Sequence, residues 1–150
     1  MYKVLLVDDE YMVTEGLKRL ILFEKWDMQV VATANHADDA LDYVKENPVD
    51  VIISDVNMPD KTGLEMIKEM KEILPDTYYI LLSGYQEFDY VKKAMNLSVV
   101  DYLVKPVDKV ELSHLLEKIA SQLQEKVEQS QTLSQELDEE GFVNFLAGKD

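Results

Sequence analysis

Val51-Ile52-Ile53-Ser54-Asp55 is an apolar run that ends in a carboxylate, and Val4-Leu5-Leu6-Val7-Asp8-Asp9-Glu10 has the same form. Neither run alternates apolar with polar residues. Continuous apolarity marks a strand covered on both faces, as in a parallel sheet. Three further runs are strand-like: Gln29-Val30-Val31-Ala32, Tyr78-Tyr79-Ile80-Leu81-Leu82 and Val99-Val100-Asp101-Tyr102-Leu103.

Amphipathic stretches lie between them. Val13, Leu17, Leu20 and Ile21 fall on one helical face, as do Ala37, Ala40, Leu41 and Val44. Ile67, Met70 and Leu74 form a third face, and Phe88, Val91 and Met95 a fourth. Thr62 to Glu65 and Asp108 to Glu111 have the spacing of a capping box. Pro48 and Pro75 stand where the second and third helices should have ended. Strands and helices therefore alternate, and right-handed crossovers predict an α/β, doubly wound, five-stranded parallel sheet. The expected strand order is 2-1-3-4-5, similar to the flavodoxin-like (βα)5 arrangement, with ligands beyond the carboxyl ends of the strands.

The final helix should begin near Asp108. Leu112, Leu116, Ile119 and Leu123 keep a four-three spacing that suits packing on the sheet. That register meets Lys126 and Ser130, then resumes at Leu133 and Leu137. The later half suits a coiled coil, a helical linker or a polar, frayed tail. Gly141 should break the helix, and Phe142-Val143-Asn144-Phe145-Leu146 reads as the first apolar patch of something not completed. The expected organisation is one domain over 1–123 and an extended helical linker over 124–150.

The chain has 150 residues, no cysteine, and a formal charge of -15 from 30 acidic against 15 basic residues. Disulfide and thiolate chemistry are excluded. Such a surface is repelled by phosphate backbones, so nucleic-acid binding by these residues alone is not expected. No segment has the length of a signal-peptide core or a membrane span, and a cytoplasmic protein without membrane contact is expected.

Most of the acids should be a solvated surface, but Asp8, Asp9 and Asp55 end the two strands that flank the switch point. Two carboxylates ~4 Å apart repel by about 4 kcal/mol at an effective dielectric near 20. A shared proton, a divalent cation or a lysine must offset that. Hard oxygen donors favour Mg2+ (or Mn2+) over zinc. Lys105, at the end of the fifth strand and followed by Pro106, supplies a positive charge in a constrained turn. Ser83 adds a hydroxyl at the end of the fourth strand. His36 and His114 read as surface residues, Trp26 and the methionines as packing, and Gly63 and Gly84 as backbone-geometry positions.

In this order and spacing the motifs resemble the receiver domains of bacterial two-component response regulators, from Lys3 to about Leu123. The matching segments are Val7-Asp8-Asp9-Glu10, Ser54-Asp55-Val56-Asn57-Met58-Pro59-Asp60-Lys61-Thr62-Gly63, Leu82-Ser83-Gly84-Tyr85 and Asp101-Tyr102-Leu103-Val104-Lys105-Pro106. The resemblance implies that Asp55 accepts a phosphoryl group from a phosphohistidine on a sensor histidine kinase. It implies Mg2+ held by Asp9, Asp55 and the Asn57 backbone carbonyl, with Asp8 acting through water. It further implies that Lys105 and Ser83 engage phosphoryl oxygens, that Tyr102 turns inward behind Ser83, and that the face of the fourth helix, fifth strand and fifth helix switches. A serine stands where many relatives have threonine, which keeps the hydroxyl. Leu97-Ser98 replaces a common glycine, with Asn96 available to end the fourth helix, so that helix's ending and surface should differ from those of many relatives.

Leu82 to Tyr90 is similar to the subgroup fused to AraC-type DNA-binding domains, which implies a transcriptional output domain not contained in these 150 residues. A stand-alone receiver is the alternative, and a homodimer is expected on activation, through the switching face or through Leu112 to Leu137. Aspartate-nucleophile phosphatases place their nucleophile in Asp-x-Asp after the first strand, unlike Asp8-Asp9-Glu10. A flavin phosphate would be repelled by the same three acids. Every site position carries a competent side chain, which argues against a degenerate receiver.

Overall fold

The computed structural model describes residues 1–84 and 100–136, with side chains at 100 and 130–136 left aside. The chain divides into two units, Met1–Leu115 and Leu116–Asp150.

The first unit holds a five-stranded parallel sheet of β1 (Tyr2–Val7), β2 (Met28–Ala34), β3 (Val51–Asp55), β4 (Tyr78–Ser83) and β5 (Val100–Val104). The spatial order is β2-β1-β3-β4-β5, as the sequence predicts. Helices α1 (Tyr11–Leu20), α2 (Ala37–Glu46) and α3 (Gly63–Ile73) connect the strands, with a short 3-10 turn at Phe23–Trp26. Leu5, Val7, Ile52, Tyr79 and Leu81 join Ala40, Val44, Met66 and Met70 in one core cluster. Val4, Leu6, Ile53 and Ile80, at the alternate positions, are equally buried, so both sheet faces are dry. Each such aliphatic side chain contributes about 1.5–3 kcal/mol by leaving water.

Helix starts follow the side chains. The Thr62 hydroxyl accepts the Glu65 N–H at 3.1 Å, and Asp108 Oδ1 accepts the Val110 and Glu111 N–H groups. The helix Lys109–Glu136 runs unbroken past the polar positions at Lys126 and Ser130. Leu112, Leu116, Ile119 and Leu123 are buried, and residues 124 to 129 are all exposed. At β2, the pairing with β1 skips Val31, a bulge on an edge strand.

Two expectations need correction. Helix α1 ends at Leu20, and Ile21 turns to extended backbone, so these two do not share a helical face: Ile21 is buried and Leu20 exposed. Met12 is 78% exposed and Met1 also lies in solvent, so not every methionine is packing; Met28, Met58, Met66 and Met70 are. The predicted fourth helix with Asn96, and the segment from Leu137 to Leu146, lie outside the described residues.

Candidate functional site

The register of the sheet carries four polar groups to one end. Asp55 closes β3 opposite Leu82, and Ser83 follows on β4 opposite Val104. Asp8 follows β1, its N–H donating to the Ala34 carbonyl at 3.0 Å, which prolongs the β1–β2 pairing. Lys105 follows β5, its N–H donating to the Ser83 carbonyl at 2.7 Å, and the Lys105–Pro106 peptide is cis.

The side chains converge. Lys105 Nζ donates to Asp8 Oδ2 at 3.0 Å and lies 3.3 Å from Asp55 Oδ1. Asp8 is only 1% exposed and Asp55 5%. Burial pushes the Asp55 carboxyl up to about 6, with the Lys105 charge opposing and the Asp8 charge reinforcing the rise. Lys105 itself is half-buried, which works against its charge, yet its hydrogen bond to Asp8 and the Asp55 and Asp8 charges hold its pKa above the usual value. Of the three ways to relieve the crowded acids, Lys105 thus supplies one.

Asp8, Asp9 and Glu10 bring one carboxylate oxygen each within 4.8 Å of one another. Their hard, anionic donor set fits a divalent cation bound through oxygen. Glu10 is a member that sequence reasoning did not assign a role, although its adjacency to Asp9 was the available signal. Its N–H also donates to Asp8 Oδ1 at 2.9 Å, fixing that carboxylate. Asn57 is exposed, and its backbone N–H donates to the Asp55 carboxylate.

Ser83 is 1% exposed, and its hydroxyl has no hydrogen-bond partner among the described residues. Buried hydroxyls usually find a partner. Tyr102, partly buried, packs against the core cluster. Gly63 is fixed by contact: a Cβ there would stand 2.2 Å from the Asp55 carbonyl oxygen. Its N–H donates to the Val56 carbonyl at 2.8 Å, closing the loop that follows Asp55. A groove of about 330 Å³ opens beside the site, lined by Met12, Gly16, Leu20, Pro106 and the shared Lys105. Both histidines are exposed. No helix among the described residues is long and apolar enough to cross a membrane.

Comparisons with known proteins agree with this fold. The family model described as response regulator receiver domain matches residues 4–117. An uncharacterized response regulatory protein of Staphylococcus epidermidis is 35% identical over 126 residues, which are 84% of this chain and 49% of the relative. The uncharacterized transcriptional regulatory protein YesN of Bacillus subtilis is 35% identical over 123 residues, 82% of this chain and 33% of YesN. The chain thus spans about half the length, or less, of the curated relatives it matches. Among solved structures, the REC domain of AraT, a response regulator from Geobacillus stearothermophilus, is 37% identical with a TM-score of 0.79, covering 83% of this chain and 97% of that one. A two-component transcriptional regulator AraC from Clostridium phytofermentans is 28% identical with a TM-score of 0.76, covering 83% and 98%. With its sheet order, its strand-end acids and its lysine in place, this chain belongs to the response regulator receiver domain family.

Proposed function

We propose that the chain is a phospho-accepting switch in which Asp55 takes a phosphoryl group from a phosphohistidine of a sensor histidine kinase. The observation that carries this is the position of Asp55, buried at a central strand end within 3.3 Å of Lys105. An Asp55 carboxylate oxygen attacks phosphorus, the phosphorus–nitrogen bond breaks, and the imidazole nitrogen keeps the electron pair. With its carboxyl near 6, Asp55 is mostly ionised at neutral pH yet more basic than an ordinary aspartate, which favours nucleophilic attack. Lys105 offers a charge to the incoming phosphoryl oxygens.

Asp8, Asp9, Asp55 and the Asn57 backbone carbonyl would hold Mg2+ (or Mn2+), with Glu10 beside them. When bound, the cation supplies positive charge that lets an anionic donor approach a carboxylate. Incubation with acetyl phosphate and Mg2+, followed by intact mass, should add one phosphoryl group, and none in Asp55→Ala. Steady hydrolysis of acetyl phosphate without a stoichiometric adduct would instead favour a phosphatase.

Ser83 and Tyr102 are the proposed switch residues. The Ser83 hydroxyl, without a partner among the described residues, can donate to a phosphoryl oxygen, and a buried polar group left without one costs about 1–3 kcal/mol. Ser83→Ala should therefore raise the stability of the unphosphorylated protein by about 1 kcal/mol in urea titrations. It should still accept phosphoryl but not dimerise in response. A variant that is less stable, or that dimerises normally when phosphorylated, would refute the switch role.

The full protein is proposed to be a cytoplasmic transcriptional regulator, switching through the face of the fourth helix, fifth strand and fifth helix and forming a homodimer. Residues 1–123 are then the receiver and 124–150 the linker toward a DNA-binding domain. Support comes from the transcriptional regulators among its relatives and from the continuous helix to Glu136.

A further inference from the structure

Helix α2 begins without a cap of its own. His36 stands at its N-cap position with extended backbone (φ −138, ψ 152), and its side chain makes no capping hydrogen bond. The cap comes from elsewhere in the chain. Asp60, in the loop between β3 and α3, accepts the Asp38 N–H on Oδ2 at 3.3 Å, and its other oxygen lies 4.0 Å from His36 Nδ1. Desolvation works against the Asp60 charge, but the N–H groups of Asp38, Asp60, Lys61 and Ala37 hold its carboxyl below the usual range. Lys61 repeats the tie, reaching Asp38 Oδ1 at 3.5 Å and Glu69 Oε2 at 2.5 Å.

The same loop leaves Asp55 and carries Asn57. Its ends are anchored, by the Val56 N–H on Leu82 and the Gly63 N–H on Val56. Between them Met58 is buried, while Asn57 and Pro59 are exposed. Met58 packs in the core cluster and the Asn57 N–H meets the Asp55 carboxylate, and Asp60 with Lys61 adds a tether from the α2 side.

We propose that Asp60 is a positioning residue: by capping α2 across the two loops it sets the Asn57 backbone, and with it the affinity of the acidic site for a divalent cation. The inference rests on the cation reading of that site. An outer-shell partner that orients a ligand is worth about 10–100-fold in metal affinity, and Asp60, three residues from Asn57, should lie at the low end.

The test is a Mn2+ titration of the full chain, read by loss of the free-ion EPR signal, with thermal melting alongside. Asp60→Ala should bind Mn2+ about tenfold more weakly. Asp60→Asn should stay near wild type, because its amide oxygen still accepts the Asp38 N–H. In His36→Ser/Asp60→Ala, a serine in extended N-cap geometry caps α2 locally and should restore the melting temperature. Mn2+ affinity should nevertheless stay low, and this variant keeps the test readable if Asp60→Ala alone unfolds. Wild-type affinity in Asp60→Ala would overturn the inference alone, as would a double variant that regains affinity together with stability. Failure of the wild type to bind Mn2+ would overturn the cation reading and the inference with it.

Discussion

Asp55→Asn should leave the protein unable to accept a phosphoryl group and, in cation-free buffer at pH 7.5, more stable than wild type by about 3 kcal/mol. The gain follows from burial. Folding moves the Asp55 carboxyl from its ordinary 3.8 to about 6, so between those values the folded state holds a proton that the unfolded chain has released. Stability conferred by that proton is complete below 3.8 and is lost as pH rises through 6. The asparagine variant has no such loss. Its advantage should shrink to about 1 kcal/mol at pH 4.5, and Mg2+ should narrow it at pH 7.5 by stabilising only the aspartate form. Urea titrations of both proteins at the two pH values, with and without Mg2+, measure this. An asparagine variant weaker than wild type at pH 7.5 would mean that Lys105 already compensates Asp55 in full.

Gly63→Ala is expected to be as damaging as Asp55→Asn is stabilising. The new methyl group would stand 2.2 Å from the Asp55 carbonyl oxygen and 3.2 Å from a Leu81 methyl carbon. The nearer atom is backbone and cannot swing aside, so β3 and the start of α3 must separate. Overpacking of this kind costs about 1–3 kcal/mol or more, and the upper end applies. Displacement of the Asp55 backbone should also move its carboxylate from Lys105 and slow uptake from acetyl phosphate more than stability alone predicts. Urea denaturation and phosphorylation rates measured on the folded fraction separate the two effects. Normal stability in this variant would mean that the loop absorbs the methyl group.

The two strands that end in acids were legible because continuous apolar runs fix both their burial and their length, and Asp8 and Asp55 mark their ends. Parallel order followed from the alternation with helices. Local caps at Thr62 and Asp108 were legible for the same reason: their partners lie within one turn. The Asp60 cap was not, because its partner Asp38 is 22 residues away and neither residue sits in a pattern that names the other. Leu20 and Ile21 misled because periodicity continues through a helix end that tertiary packing imposes. The surroundings of the Ser83 hydroxyl were also hidden, since a sequence names a donor but not whether a partner stands nearby, and none does among the described residues.

The skipped residue at Val31 bears on how this sheet ends in space. Strand β2 lies at one border of the sheet, with half-buried valines, and a border strand is a template on which another chain's strand could pair. A bulge breaks the regular spacing that such pairing needs and twists the border away. One extra residue thereby limits the growth of the sheet across molecules.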